Sequence, residues 1–149
     1  MTDLILAILH HVLVFSLVGL LAAEISTVRA GIGADLLRRL GAMDIAYGVT
    51  AGLILVVGFA RVFFGLKGAD YYLSNHFFWG KIGAFVVVGL LSIPPTVRII
   101  GWRREARGDP GFAPAENEVA TVRRYMHGEA AFVVLILIFA AAMAREYGS

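Results

Sequence analysis

Four long apolar runs, over residues 4–24, 45–65, 77–101 and 128–144, constrain this chain more than any other feature. Each is about as long as the roughly 20 apolar residues that cross the hydrocarbon core of a bilayer. Lipid offers no hydrogen-bond partners to an open backbone, so such runs cross as α-helices. The expected fold class is therefore all-α: an integral membrane four-helix bundle, one domain over residues 1–149. Composition points the same way. The chain is 59% hydrophobic and 16% charged, a balance far outside that of water-soluble domains. A net charge of +2 gives no reason to expect a nucleic-acid partner. The absence of cysteine excludes disulfides, covalently attached haem, iron–sulfur clusters and thiolate metal sites.

Charge distribution gives an orientation. The chain opens on Met1-Thr2-Asp3 rather than on a basic segment, so the first run reads as a retained helix and not as a cleaved signal. With four crossings, the first and third loops share one side, where Arg29, Arg38, Arg39, Arg98, Arg103, Arg104, Arg107, Arg123 and Arg124 gather. The other side offers Arg61, Lys67, Lys81 and Arg145. The positive-inside rule then places both termini on the outer, periplasmic side of a bacterial inner membrane. In the first loop, residues 34–41 carry Leu36, Leu37 and Leu40 beside Asp35, Arg38 and Arg39, which predicts a short interfacial helix. In the third, Gly108-Asp109-Pro110-Gly111 and Pro114 break the chain before residues 115–126 run helically into the fourth span. Arg38-Arg39 precedes Asp44 at the same spacing at which Arg123-Arg124 precedes Glu129, an internal echo that basic flanks alone also explain.

Ionisable residues inside hydrocarbon are expensive and usually face a bundle interior, so they are the first candidates for function. They fall into two layers. The inner one holds Glu24, Asp44, Arg98, His127 and Glu129, with Arg29 and Arg124 adjacent. Mutual pairing would satisfy it; alternatively, Glu24, Asp44, His127 and Glu129 form a proton-handling cluster, since histidine titrates near neutral pH. The outer layer holds His10, His11, Arg61, His76 and Lys81, while the outer acids Asp3, Asp70 and Glu146 all lie outside the spans. Its cations either snorkel to lipid phosphates or meet a bound anion, such as haem propionates or an acidic substrate.

Histidines in helical bundles hold non-covalent haem through axial imidazoles. His10 shares a seven-residue stripe with Leu17 and Glu24 and is expected to face inward, whereas His11 lies 100° round the helix. His127 lies roughly 20 Å deeper than His10, too far to share an iron, which leaves His76 as the nearer second ligand. Other chemistry finds less support: Met1, Met43, Met126 and Met143 are scattered rather than clustered for copper, and Ser16 and Ser92 have no placed triad partners.

Small residues supply packing devices. Asp44, Ala51, Gly58 and Gly65 recur every seven residues beside Gly48 and Gly52, and Gly80, Gly83 and Ala84 flank Lys81. Such ridges admit another backbone or a flat cofactor. Pro94-Pro95 predicts a kink, with Ser92 or Thr96 bonding the freed carbonyls.

The segments Arg61-Val62-Phe63-Phe64-Gly65-Leu66-Lys67-Gly68, Tyr71-Tyr72-Leu73, Phe77-Phe78-Trp79-Gly80-Lys81 and Leu91-Ser92-Ile93-Pro94-Pro95-Thr96 resemble a bacterial membrane-protein family catalogued as domain of unknown function 2214. That resemblance covers almost the whole chain and implies no particular activity. More distantly, His10 early in the first helix, Trp79 and Lys81 opening the third, and a polar start to the fourth are similar to the haem-containing protoporphyrinogen oxidase and copper-resistance membrane-protein families. The chain is shorter and carries Trp79-Gly80 where a histidine is looked for just before the lysine. This likeness implies a b-type haem site at His10, with Lys81 in the ligand environment, and hence electron transfer or a membrane oxidoreductase step. Two other roles are compatible with the sequence: an accessory subunit or homo-oligomer packed through its glycine ridges, and a small proton-handling transporter.

Overall fold

The computed structural model describes residues 1–65 and 68–145; Lys67 and Glu146 lie outside them, as does Leu66 of the first segment quoted above. Among the described residues the chain forms α1 (Thr2–Thr27), α2 (Ala34–Phe64), α3 (Gly68–Ser74), α4 (His76–Gly108) and α5 (Glu116–Ala144). The four long helices are each long and apolar enough to cross a membrane. They pack in a ring: α1 against α2, α2 against α4, α4 against α5 and, most lightly, α5 against α1. The start of α1 and the end of α5 thus share one end with α3, here called the terminal end. The α1–α2 and α4–α5 connections form the loop end.

The breaks follow local chemistry. After Thr27 the chain leaves the helix at Val28, and Gly31 takes a left-handed φ of 73° that a side chain would resist. Val28 and Ile32 plug the loop end from either side of that turn. Asp109 ends α4, its Oδ1 accepting the Gly111 amide at 2.8 Å, and Pro110 cannot continue the helix. Glu116 and Glu118 then occupy the first turn of α5, where the helix dipole favours acids.

The helices outrun the spans read from hydropathy. At 31 and 33 residues, α2 and α4 are about 46 and 50 Å long, against about 30 Å of hydrocarbon. The surplus sits at the loop end, where the first turns of α2, the last turns of α4 and the first turns of α5 build a tight cap around Leu37, Leu40, Ile99, Trp102, Val119, Val122 and Met126. This corrects the expected interfacial helix. Residues 34–41 are the opening turns of α2, because Leu37, Leu40, Gly41, Asp44 and Tyr47 carry one buried stripe onward with no breaker between. Trp102 Nε1 donates to Glu118 Oε2 at 3.1 Å, and Arg98 forms an ion pair with the other oxygen of that carboxylate, tying α4 to α5.

Two further expectations change. Helix α4 continues through Pro94 and Pro95. Ser92 Oγ donates to the Gly89 carbonyl rather than to those the prolines free, and Thr96 Oγ1 turns to Asp44. Helix α3 has no counterpart in the hydropathy reading, since seven half-polar residues give no periodic signal. It is fastened by contacts the sequence does not announce: Tyr71 Oη donates to the Met143 carbonyl at 3.0 Å, and Trp79 Nε1 to that of Leu73 at 3.0 Å. Asn75 then caps α4, its side chain accepting the Phe77 amide at 2.9 Å.

Candidate functional site

Packing loosens toward the terminal end. There a cleft opens among all four long helices, with about 900 Å³ of empty space including its mouth. Its walls are apolar, built from residues such as Leu17, Ile54, Phe59, Phe85 and Ile136. Three nitrogen side chains enter it: His10 from α1, Arg61 from α2 and Lys81 from α4, with no acidic residue in the lining among the described residues. The seven-residue stripe of α1 explains the first, because Leu17 and Glu24 on the same stripe are buried and turn His10 inward. Two of these groups hold buried nitrogens with no hydrogen-bond partner, His10 Nδ1 and Arg61 Nε. Lys81 Nζ stands 5.4 Å from the centre of the Phe78 ring, a cation–π contact that leaves its other donors free to face the cleft.

Gly58 makes the site possible. A Cβ there would lie 3.6 Å from His10 Cε1, so any longer side chain would occupy the space beside the imidazole. The rest of the small-residue ridge divides by role. Gly80 lets Phe139 of α5 pack against α4, with 3.0 Å left to a Cβ position, whereas Gly48, Gly52 and Gly83 have open space beside them. Ala51 and Ala84 lie within the bundle, Ala84 fully buried.

Of the outer residues singled out by sequence, the structure brings His10, Arg61 and Lys81 together and leaves two histidines out. His11 is exposed, its Nδ1 bonded to the Ala7 carbonyl of its own helix at 2.7 Å. His76 is exposed at the start of α4 and is not among the residues that line the cleft. Two lining residues escaped the sequence reading: Tyr72 on α3 and Met143 on α5. Met143 lies on a stripe with Val133 and Ile136, a spacing that could have flagged it once methionine was considered as a lone ligand rather than as part of a copper cluster.

The inner layer also rearranges. Glu24 and Glu129 are 2% exposed, Asp44 is 9% exposed, and all three face the interior from α1, α5 and α2 respectively. Thr96 Oγ1 donates to Asp44 Oδ1 at 2.7 Å. Arg98 is spent on Glu118, and no ion pair involving the three acids occurs among the described residues. His127 is exposed and bonds the Arg123 carbonyl at 2.6 Å, so it faces away from the acids it was grouped with. Tyr47, not anticipated, is buried beside Glu129 and takes its place in the cluster. The echo between Asp44 and Glu129 thus acquires a spatial meaning, since both acids meet in one cluster.

The family described as "Predicted membrane protein (DUF2214)" matches residues 2–148 of this chain. No curated protein and no solved structure matches it.

Proposed function

We propose, for a chain that belongs to the DUF2214 family of membrane proteins, that the cleft at the terminal end binds a flat, apolar, anionic cofactor, b-type haem, in a bacterial inner membrane. The observation that carries this reading is the meeting of two cations and an imidazole in an apolar cleft without a lining acid. Buried cations require compensation, and none of the described residues that line the cleft is acidic. A haem macrocycle offers the matching chemistry: an apolar face for the walls, carboxylates for Arg61 and Lys81, and iron for His10. The unpartnered nitrogens of His10 and Arg61 fit that donor set.

In this reading His10 would hold the haem iron, Arg61 and Lys81 would neutralise the propionates, and Gly58 clears the space beside the imidazole. Bound haem would supply one-electron chemistry, which points to electron transfer or a membrane redox step. The arginines of the loop end face the cytoplasm, and both termini lie outside.

Titration of the purified protein with haemin, in detergent and followed by absorbance, tests the electrostatic half of the reading. Wild type should bind haemin more tightly than haemin dimethyl ester, whose propionates carry no charge. Arg61→Gln and Lys81→Gln should each weaken haemin binding about tenfold or more, as expected for loss of one charge-assisted hydrogen bond, and should barely affect the ester. Equal affinity for both porphyrins in wild type would contradict the assignment.

A further inference from the structure

The haem reading makes no use of the buried polar cluster at the loop end. Glu24 of α1, Asp44 and Tyr47 of α2 and Glu129 of α5 meet there, and Thr96 of α4 closes the fourth side through its bond to Asp44. Three carboxyl groups in one buried place demand positive charge, because an uncompensated buried carboxylate costs several kcal/mol. The nearby cations do not supply it. Arg98 pairs with Glu118, and His127 points outward onto its own helix. Arg103 comes near Asp44 but forms no ion pair with it; its side chain lies across Gly41, where a Cβ would collide with it. Among the described residues no group of three or more His, Asp or Glu side chains is arranged to hold a metal ion.

Glu24 Oε1 is buried without a hydrogen-bond partner, on a residue 2% exposed, and the Tyr47 hydroxyl, on a residue 5% exposed, lies against the Glu129 carboxyl at the edge of hydrogen-bonding geometry. The tyrosine lies next to Glu129 and within electrostatic reach of Glu24 and Asp44, so its O–H is a mobile donor in the middle of three acceptors. Toward the terminal end, Leu21 and Val88, with Leu17, Ile54 and Val133 that also line the cleft, form an apolar septum between cluster and cleft. Toward the loop end, Arg103 lines a second cleft with Arg38 and Arg107, and Asp44, at 9% the most exposed member of the cluster, lies within electrostatic reach of Arg103.

We propose that Glu24, Asp44, Tyr47 and Glu129 form a proton-binding site, in which protons shared among the three carboxyls supply the missing positive charge. Tyr47 passes a proton between Glu129 and Glu24, accepting one as it donates its own, and Asp44 exchanges with water at the loop end. The site is separate from the haem reading and stands or falls without it. The apolar septum makes it a one-sided proton store rather than a channel.

Infrared difference spectroscopy of the full chain in detergent, across a pH titration in H2O and D2O, reads this directly. Wild type should show a protonated-carboxyl C=O band that titrates and shifts in D2O. The band should lose intensity in Glu24→Gln and in Glu129→Gln, and move without loss in Tyr47→Phe. A wild-type spectrum without such a band would overturn the proposal, as would a band unchanged in all three variants. A band abolished by sodium at fixed pH would overturn it in favour of a metal cation. If a Gln variant does not fold, the wild-type titration and Tyr47→Phe decide.

Discussion

A methyl group at Gly58 would meet His10 at ordinary contact distance, whereas anything larger would enter the cleft itself. Gly58→Ala should therefore leave haemin binding near wild type, and Gly58→Phe should weaken it by about tenfold or more, since filling the space excludes the ligand rather than reshaping the bundle. Circular dichroism of both variants should match wild type; loss of helix in Gly58→Phe would show that the glycine serves packing instead. His11→Ala is the matched control. Its ring is tied to the Ala7 carbonyl on the exposed face, so haemin affinity should not change. Gly41 poses the opposite test, because a Cβ there runs into the Arg103 side chain where it crosses α2. Because the colliding atoms are the outer part of a flexible, half-exposed side chain, Gly41→Ala should displace Arg103 rather than the backbone and change stability by less than about 1 kcal/mol, readable as a nearly unchanged thermal midpoint in detergent.

At the scale of elements, the cap at the loop end is held by the α4–α5 pair, and one carboxylate joins them through both Arg98 and Trp102. Glu118→Ala should cost about 1–2 kcal/mol, combining a half-exposed ion pair with a side-chain hydrogen bond, while Glu118→Gln should keep the Trp102 bond and recover part of the loss. Thermal unfolding of both variants orders them; equal losses would show that Trp102 contributes nothing. The four long helices were legible from the sequence because hydropathy is a sum over some 20 residues and tolerates a stray histidine or glutamate. Their ends were not, since Leu37 and Leu40 read equally well as an interfacial face or as a buried stripe until the cap shows what covers them. Helix α3 was invisible for the reason that its order comes from Tyr71 and Trp79 reaching other helices, a tertiary fact. Of the outer residues, the inward turn of His10 followed from the stripe it shares with Leu17 and Glu24, a local rule. That His76 is not among the cleft's lining residues depended on how the helices pack, which no spacing encodes. His127 and Tyr47 exchanged roles in the inner cluster on similar grounds: five exposed or half-exposed positions separate the buried Val122, Met126 and Glu129, and His127 falls among them.

Across the whole molecule, polarity is stacked by depth. Cations and an imidazole line a cleft at the terminal end, acids cluster near the loop end, and about 21 Å of α1 separates His10 from Glu24. The roughly 30 Å of a hydrocarbon core exceeds that separation, so a bilayer that covers the four long helices takes in at least one of the two levels. Because the sequence has no cysteine, single cysteines report its orientation without a background. A cysteine at Gly31 or Gly111 should resist a membrane-impermeant thiol reagent in intact cells, and one at Asp70 should react; the reverse pattern would invert the assigned topology and place the cleft on the cytoplasmic side. The most direct test of the haem-binding account is the absorption spectrum of the protein as purified in mild detergent, oxidised and dithionite-reduced, for wild type and His10→Ala. Haem held by His10 gives a Soret band and sharpened reduced α and β bands in wild type, lost in His10→Ala while the helical content is retained. A featureless spectrum from folded wild type that stays featureless after incubation with haemin would contradict it.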